Sequence, residues 1–420
     1  MLLIYSEIFS TRLTYILQIF FGDKFSVTSD IDFFNQNTNA KINYSNQKIA
    51  VNEVYIKPSA ILFEQNIVTQ TIECFNWQNL KVFFKTEGDI PFDIFAASFY
   101  LLSRYEEYLP HQKDFYGRYA HTNSIAFKED FLQLPLINLW MHEFEKTMRQ
   151  KFPVSAFTQT TFTFLPTYDI DIAYKNSGFL KKTYLFLKNI LKAKPAIGKD
   201  AFDTYNWLDE LQIKFNLQPL YFFLLAQKKK GYDKNVSPYN KQLQQLIIGV
   251  SRKNAIGIHP SWQSGDDEII LIKEIELLCN ISKQSIKNSR QHYIKMNLPE
   301  TYERLIKHSI TNDHSMGYGS INGFRASYCL PFFWYDLKNE KQTSLLIHPF
   351  CFMEANSFFE QGFNAMQAGE ELQQYFDVVK KVNGKLITIF HNHFITEEPQ
   401  WIEWRKMYEA FLKKNFLAEK

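Results

Sequence analysis

From Thr161 onward the sequence alternates short apolar runs with longer amphipathic segments, and this pattern constrains the fold more than any other feature. Such alternation is typical of repeated βα units, in which parallel strands form a sheet covered by helices. About seven strands are expected, at Thr161–Thr167, Pro219–Leu225, Ala255–Ile258, Ser289–Tyr293, Ser309–Asn312, Ser344–Ile347 and Leu386–Phe390. Roughly 250 residues of this kind favour a (β/α) barrel over an open sheet.

The first 155 residues show a different pattern, in which short apolar runs are separated by polar turns. Strands are expected at Leu2–Tyr5, Ile42–Tyr44, Val51–Ile56 and Val82–Phe84. Apolar residues at helical spacing predict a buried helix over Asp93–Tyr108. We therefore expect two domains, a smaller α/β domain of unknown role over 1–155 and the barrel over 156–420.

Charge and composition exclude several classes of protein. With 47 Lys+Arg against 44 Asp+Glu, the net charge of +3 gives no reason to expect nucleic acid as a partner. The four Cys form no CxxC pair, which argues against a disulfide framework or a structural zinc cluster. The N-terminal stretch lacks a basic region and a cleavage site, and no run approaches the ~20 apolar residues of a membrane span. We expect a soluble, cytoplasmic protein and leave its oligomeric state open.

Ionisable residues concentrate at the ends of the predicted strands. Of ten His, seven follow residue 250, and all of these but His308 fall at or just beyond the C-terminal end of a strand. A buried ionisable group costs several kcal/mol unless it is paired, so a ring of Asp, His and Arg from different strands is hard to explain as packing. The sequence therefore predicts a functional site at the C-terminal strand ends, where barrels place their chemistry.

The first barrel strand ends in Thr167-Tyr168-Asp169-Ile170-Asp171. Because residues i and i+2 of a strand share a face, Asp169 and Asp171 can both point at one ion, or at an ion and its water. His259 follows a later strand in the motif HPSWQS, and imidazole with carboxylate suits zinc or a similar divalent metal. These residues predict a metal site.

Two later motifs add polar groups to the same rim. Arg290 and His292 lie in SRQHY and could hold a carboxylate in place through a guanidinium fork. His391 and His393 lie in HNH, after the last strand, and offer a general acid, a third metal ligand or both.

The motifs TYDID, HPSWQS, RQHY and HNH, in this order, resemble the successive motifs of the polysaccharide deacetylase (NodB-homology) superfamily. The resemblance covers roughly Phe157–Phe394. Residues Asp313–Asp336 are similar to the central block of a bacterial subgroup in which an N-terminal α/β domain of unknown function precedes the barrel. The implied fold is α/β, a distorted (β/α) barrel of about seven strands preceded by a smaller α/β domain.

The resemblance also implies roles for individual residues. These are Asp169 as catalytic base, Asp171 and His259 as metal ligands, Arg290 as the residue that orients the base, and His391 or His393 as general acid. One position departs from the family pattern, because Gln263 stands where a second metal-binding His is usual, and Ser264 follows it. Neither is a good zinc ligand. Either His391, His393 or His314 completes the coordination, or metal binding is weak or lost.

The same resemblance implies a metal-dependent hydrolase, with zinc expected first, that removes an N-acetyl group from an amino sugar or glycan. Six rim residues are candidates for binding the carbohydrate, in part because aromatic rings can stack on sugar faces. They are Trp262, His292, Tyr293, Asp313, Tyr318 and Arg325. Two alternatives stay open: a catalytically degenerate barrel that binds a glycan or another partner, and a hydrolase of a different small amide on the same barrel.

Overall fold

Two main sheets organise the described part of the chain, which comprises residues 1–153, 157–175 and 200–417 of a computed structural model. The strands are β1 (Leu2–Tyr5), β2 (Phe25–Thr28), β3 (Lys41–Tyr44), β4 (Val54–Ile56), β5 (Phe75–Trp77), β6 (Leu80–Val82), β7 (Thr163–Ile170), β8 (Leu220–Leu224), β9 (Ala255–His259), β10 (Asn288–Ser289), β11 (Asn312–Asp313), β12 (Phe332–Asp336), β13 (Lys341–Ile347), β14 (Phe352–Met353) and β15 (Lys385–His391).

Helices cover and connect these strands. They are α1 (Thr11–Phe21), α2 (Ile31–Gln36), α3 (Ile94–Leu102), α4 (Ile125–Lys128), α5 (Leu136–Lys151), α6 (Tyr205–Phe215), α7 (Lys241–Ser251), α8 (Glu268–Ser282), α9 (Glu300–Lys307), α10 (Ala365–Lys381) and α11 (Ile402–Phe416). Among the described residues, no helix combines the length and the apolar character that a membrane crossing requires.

The smaller sheet has the strand order β2-β1-β3-β4, and its neighbouring strands are parallel. Helix α1 begins at the N-cap Ser10, whose side chain accepts from the backbone N–H of Leu13, and it ends at Gly22 with φ 58°. The predicted helix over Asp93–Tyr108 is shorter than expected. It ends at Leu102 because Arg104 adopts a left-handed backbone conformation, with φ 57°.

The larger sheet has the order β12-β13-β11-β10-β9-β8-β7-β15-β14 and is parallel except for the β12–β13 pair. It contains a strand near each of the seven positions predicted from the sequence, so the α/β class is confirmed. The predicted barrel is not confirmed, because no pairing among the described residues joins the two end strands. Closure needs such a pair, and β12 instead occupies the free edge of β13 as an antiparallel partner.

One apolar core runs from the smaller sheet into the larger one, and aromatic rings make up much of it. Phe20 and Phe95 pack edge to face at 5.2 Å, and Tyr15 lies 5.0 Å from Tyr335 across the two parts of the chain. This packing accounts for much of the high Phe and Tyr content of the sequence. The predicted boundary between residues 155 and 156 lies outside the described residues.

A buried ion pair also joins the N-terminal region to the later part of the chain. Glu107 accepts hydrogen bonds from Nε of Arg104 at 2.8 Å and from Nε and Nη2 of Arg325 at 2.8 and 2.5 Å. Burial alone would raise the pKa of Glu107, but the two guanidinium groups outweigh it and lower the pKa to about 2. Loss of this carboxylate would leave two buried cations without their main partner.

We expect Glu107→Gln to lower the free energy of unfolding by about 3 kcal/mol, as removal of one partner from a buried pair does. Urea unfolding measures this change. Glu403→Gln is the matched control, because Glu403 pairs with Lys406 on the exposed surface of α11, and its loss should cost under ~1 kcal/mol. Equal losses of stability in the two variants would show that the buried Glu107 ion pair stabilises the fold no more than a surface pair does.

The same carboxylate predicts a pH dependence. Its folded pKa of about 2 lies below the ordinary value of 4.5, so its contribution is present above pH 4.5 and is lost as the pH falls towards 2. The stability difference between wild type and Glu107→Gln should therefore shrink across that range. A difference that stays constant from pH 6 to pH 3 would show that the ionised form of Glu107 is not what stabilises the fold.

Candidate functional site

The candidate site lies where the carboxyl ends of β7, β9, β10 and β15 meet. These strands are close together in the sheet, and the register pairs His391 of β15 with Asp169 of β7 and His259 of β9 with Leu224 of β8. A cavity of about 530 Å³ opens over these strand ends. Asp169, Asp171, His259, His391 and other rim residues line it, so the structure brings together the groups that the sequence placed on one rim.

Asp169 is a buried carboxylate fixed by Arg290. Nη1 of Arg290 donates to Oδ1 of Asp169 at 2.9 Å and to Oγ1 of Thr167 at 2.5 Å. The guanidinium is itself fully buried and lies over the ring of Phe222 at 4.4 Å. With Oδ1 held in this way, Oδ2 of Asp169 lies 3.8 Å from Nε2 of His259, at the cavity.

Asp171, His259 and His292 form a group that could hold a metal ion, with ligand atoms within 4.8 Å of one another. Nε2 of His259 lies 3.1 Å from Oδ1 of Asp171, and Nε2 of His292 lies 3.5 Å from Oδ2. Two ligands about 2.1 Å from a tetrahedral zinc ion are about 3.4 Å apart. The separations therefore suit a zinc-sized ion.

The hydrogen bonds around this group also fit a metal. Nδ1 of His259 donates to the carbonyl of Arg290 at 2.6 Å, and Nδ1 of His292 donates to Asp233 at 3.0 Å. Each ring then presents Nε2 to Asp171, which is the arrangement that metal-binding His residues adopt. Oδ1 of Asp171 is buried without a hydrogen-bond partner among the described residues. A cation between the three side chains would satisfy it.

The charges of Asp171 and the neighbouring His residues shift one another's pKa values. Burial opposes ionisation of Asp171, but His292 and His391 outweigh it and hold the pKa of Asp171 well below its ordinary value. Burial likewise lowers the pKa of His292, while Asp171 and Asp233 together raise it to about 9. A metal ion would displace the proton of His292, since a ligating imidazole must be neutral.

Gln263 does not face the cavity. Its Nε2 donates to Oδ2 of Asp233 at 2.9 Å and to the carbonyl of Lys228 at 3.0 Å. Asp233 is the residue that holds His292. Gln263 thus supports, through Asp233, the ring of His292, which lies in the turn after β10.

His391 and His393 have different environments. Nδ1 of His391 donates to Glu354 at 2.9 Å, and its Nε2 lies 3.5 Å from Oδ2 of Asp171. Burial lowers the pKa of His391, but Glu354 and Asp171 raise it to about 10. His393 is buried against Phe394, and burial together with the charge of His391 lowers its pKa to about 3.

The predicted substrate-binding residues divide into two groups. His292 and Tyr293 line the cavity, and Trp262 packs behind them, 5.8 Å from the Tyr293 ring. The described lining does not include the other three, whose side chains have buried partners elsewhere. Asp313 accepts from Ser315, the Tyr318 hydroxyl accepts from Arg104, and Arg325 pairs with Glu107.

Sequence reasoning missed several residues of the site. It gave His292 a substrate role and sought a third ligand among His314, His391 and His393. His314 instead stacks on His348 at 4.3 Å. Asp233 and Glu354, which orient His292 and His391, lie in loops or beside a two-residue strand, where no periodic pattern marks them. Two further lining residues, Tyr116 and Arg118, come from the N-terminal region.

Residues 2–153 match a protein family of unknown function, DUF7033. No curated protein matches the sequence significantly. Among solved structures, a Mycobacterium smegmatis protein described as a polysaccharide deacetylase is 15% identical, with a TM-score of 0.40 over 63% of this chain and 89% of that chain. A polysaccharide deacetylase from Bacillus cereus is 12% identical, with a TM-score of 0.31 over 62% and 93%.

A mutant of a CE4 family pseudoenzyme with restored enzymatic activity is also similar, at 10% identity and a TM-score of 0.30 over 61% of this chain and 64% of that chain. These likenesses concern the fold. At such identities and TM-scores, function has to be inferred from the residues of the site.

We expect His292→Ala to weaken zinc binding more than the roughly 10- to 100-fold that loss of an orienting residue costs, because His292 supplies a ligand atom. Competition with a chromogenic chelator, on protein first stripped of metal, measures the affinity. His308→Ala is the control, since His308 bonds Glu268 outside the metal-binding group. Zinc binding by His292→Ala at the wild-type affinity would show that another residue is the third ligand.

Proposed function

We propose that the protein is a metal-dependent hydrolase that removes an N-acetyl group from an amino sugar or a glycan. One observation carries the proposal. A three-residue group that suits a divalent ion, Asp171, His259 and His292, adjoins a carboxylate, Asp169, that is fixed by a buried Arg and faces the same cavity. Metal-assisted hydrolysis needs these two parts side by side.

Asp171, His259 and His292 would hold the ion, with zinc expected first. Bound there, the ion supplies Lewis-acid polarisation of the acetyl carbonyl and activation of water. The hydrogen bonds that His259 and His292 make through Nδ1 keep their Nε2 atoms directed at the cavity before any substrate arrives.

Asp169 acts as the general base in this proposal. Oδ1 is occupied by Arg290, so Oδ2 is the oxygen that accepts the proton of the attacking water. Arg290 holds this carboxylate in one orientation and keeps it out of the metal-binding set. A positioned base of this kind contributes typically ~10²- to 10⁴-fold to the rate.

His391 acts as the general acid. Glu354 accepts from its Nδ1 and thereby orients the ring, while Nε2 lies at the cavity within 3.5 Å of Asp171. From there Nε2 can protonate the departing amine when the C–N bond breaks. His393 packs beside it and shapes the cavity wall.

The cavity also suits a sugar. Its volume of about 530 Å³ lies within the range of sites that enclose a small ligand. Tyr232 and Tyr293 line one side, and Phe359 and Phe394 lie on the lining as well. Aromatic faces of this kind can stack on the C–H surfaces of a sugar ring, while the strand ends supply the polar groups.

We expect Asp169→Asn to lower kcat for N-acetylated oligosaccharides by about 10²-fold or more, because the base is lost. Acetate release measures the rate, and metal removal by a chelator should abolish it until zinc is restored. Asp209→Asn is the control, since Asp209 pairs with Lys253 at the surface. Full activity of Asp169→Asn, or of the metal-free protein, would overturn the mechanism.

We also expect His391→Gln to slow amide hydrolysis by ~10²- to 10⁴-fold. Hydrolysis of 4-nitrophenyl acetate should fall much less, because its leaving group departs without a proton. Equal losses on both substrates would remove His391 from the role of general acid.

The same assays separate the alternatives. Tight glycan binding without turnover would identify a glycan-binding protein, and turnover of small amides but not of sugars would identify a different amide hydrolase.

A further inference from the structure

We propose that the N-terminal region completes this active site, with Arg118 acting as a positioning residue for the metal-binding His292 and Tyr116 closing the aromatic side of the cavity. The proposal rests on the proposed function for the identity of the metal ligands. It assigns a role to a region whose family is of unknown function.

Residues 113–119, here called the Arg118 turn, carry both side chains into the cavity. Lys113 and Tyr119 pair as an antiparallel bridge, and Gly117 has φ 73°, which allows the chain to reverse. Oδ1 of Asp114 accepts from the backbone N–H groups of Tyr116 and Arg118, both at 2.9 Å. The turn is therefore held by its own hydrogen bonds.

The side chain of Arg118 crosses from this turn to the backbone that follows His292. Nε donates to Oδ2 of Asp114 at 2.7 Å, and Nη1 donates to the carbonyl of Tyr293 at 2.5 Å. The guanidinium lies over the ring of Tyr116 at 4.6 Å, and the side chain is only 4% exposed. Such a well-partnered Arg has a fixed position.

The bonded carbonyl belongs to a turn that needs support. Tyr293 and Ile294 have φ values of 57° and 52°, which non-glycine residues rarely adopt. His292 directly precedes them and carries the third proposed ligand atom. Arg118 thus fixes the backbone one residue beyond the ligand, while Asp233 fixes its ring.

Gly319 provides the space for this contact. A Cβ atom there would lie 2.1 Å from Nη1 of Arg118 and 2.9 Å from the carbonyl oxygen of Tyr293. Any side chain at position 319 would push the guanidinium away from the carbonyl. Gly319 belongs to the block resembling deacetylase sequences, so the later region accommodates the N-terminal one at this point.

Tyr116 contributes a ring to an aromatic wall of the cavity. Its centroid lies 5.4 Å from that of Tyr293 and 5.5 Å from that of Tyr232. Trp262 packs behind, 4.5 Å from Tyr232. Because Tyr116 lines the cavity, a sugar stacked on this wall would contact the N-terminal region directly.

The test measures zinc affinity and kinetics of the full chain. Arg118→Ala should weaken zinc binding by about 10- to 100-fold, as loss of residues that orient ligands does, and Arg118→Lys should recover part of the loss. Gly319→Ala should act in the same direction, because its Cβ would displace the guanidinium from the Tyr293 carbonyl. It keeps the proposal testable if Arg118→Ala does not fold. Arg149→Ala, on the exposed face of α5, is the control.

Tyr116→Ala should raise KM for an N-acetylated oligosaccharide about 10-fold or more, because one aromatic face of the wall is lost. Wild-type zinc affinity in both Arg118→Ala and Gly319→Ala would show that Arg118 does not position His292. An unchanged KM in Tyr116→Ala would show that Tyr116 does not contact the substrate. Zinc affinity is measured without substrate. If Arg118→Ala loses zinc affinity but the wild type does not deacetylate sugars, the positioning role of Arg118 stands and only the proposed function is refuted.

Discussion

Compensation of buried charge at the strand ends is the constraint on which the site depends. Each imidazole that faces Asp171 has its other nitrogen fixed by an acceptor, the Arg290 carbonyl for His259, Asp233 for His292 and Glu354 for His391. This leaves three Nε2 atoms around one carboxylate. Without these acceptors the rings could rotate, and the cost of burying them would not be offset.

The sequence predicted the parts of the fold and site that follow a simple period. Asp169 and Asp171 could be placed at the rim because they lie two residues apart where β7 ends, and His259 and His391 because each ends a strand. The distorted barrel is not confirmed, because sheet closure depends on pairing between distant strands, and β12 pairs with the edge of β13 instead.

The third proposed metal ligand was harder to predict. His292 was expected near the end of a longer strand, but the strand stops at Ser289 and a turn with left-handed residues redirects the chain. No spacing rule connects His292 with Asp233, or either of them with Gln263. Gln263 was expected to leave the metal site one ligand short, whereas its amide supports the Asp that orients His292.

The Glu107 ion pair bears on how this chain can be divided. Its carboxylate comes from the N-terminal region and one of its two guanidinium partners, Arg325, from the later one. Cutting the chain between these regions would leave the later fragment with an uncompensated cation in an apolar core, and the earlier fragment with a newly exposed surface. We therefore expect each fragment on its own to be less stable than the same region within the whole chain.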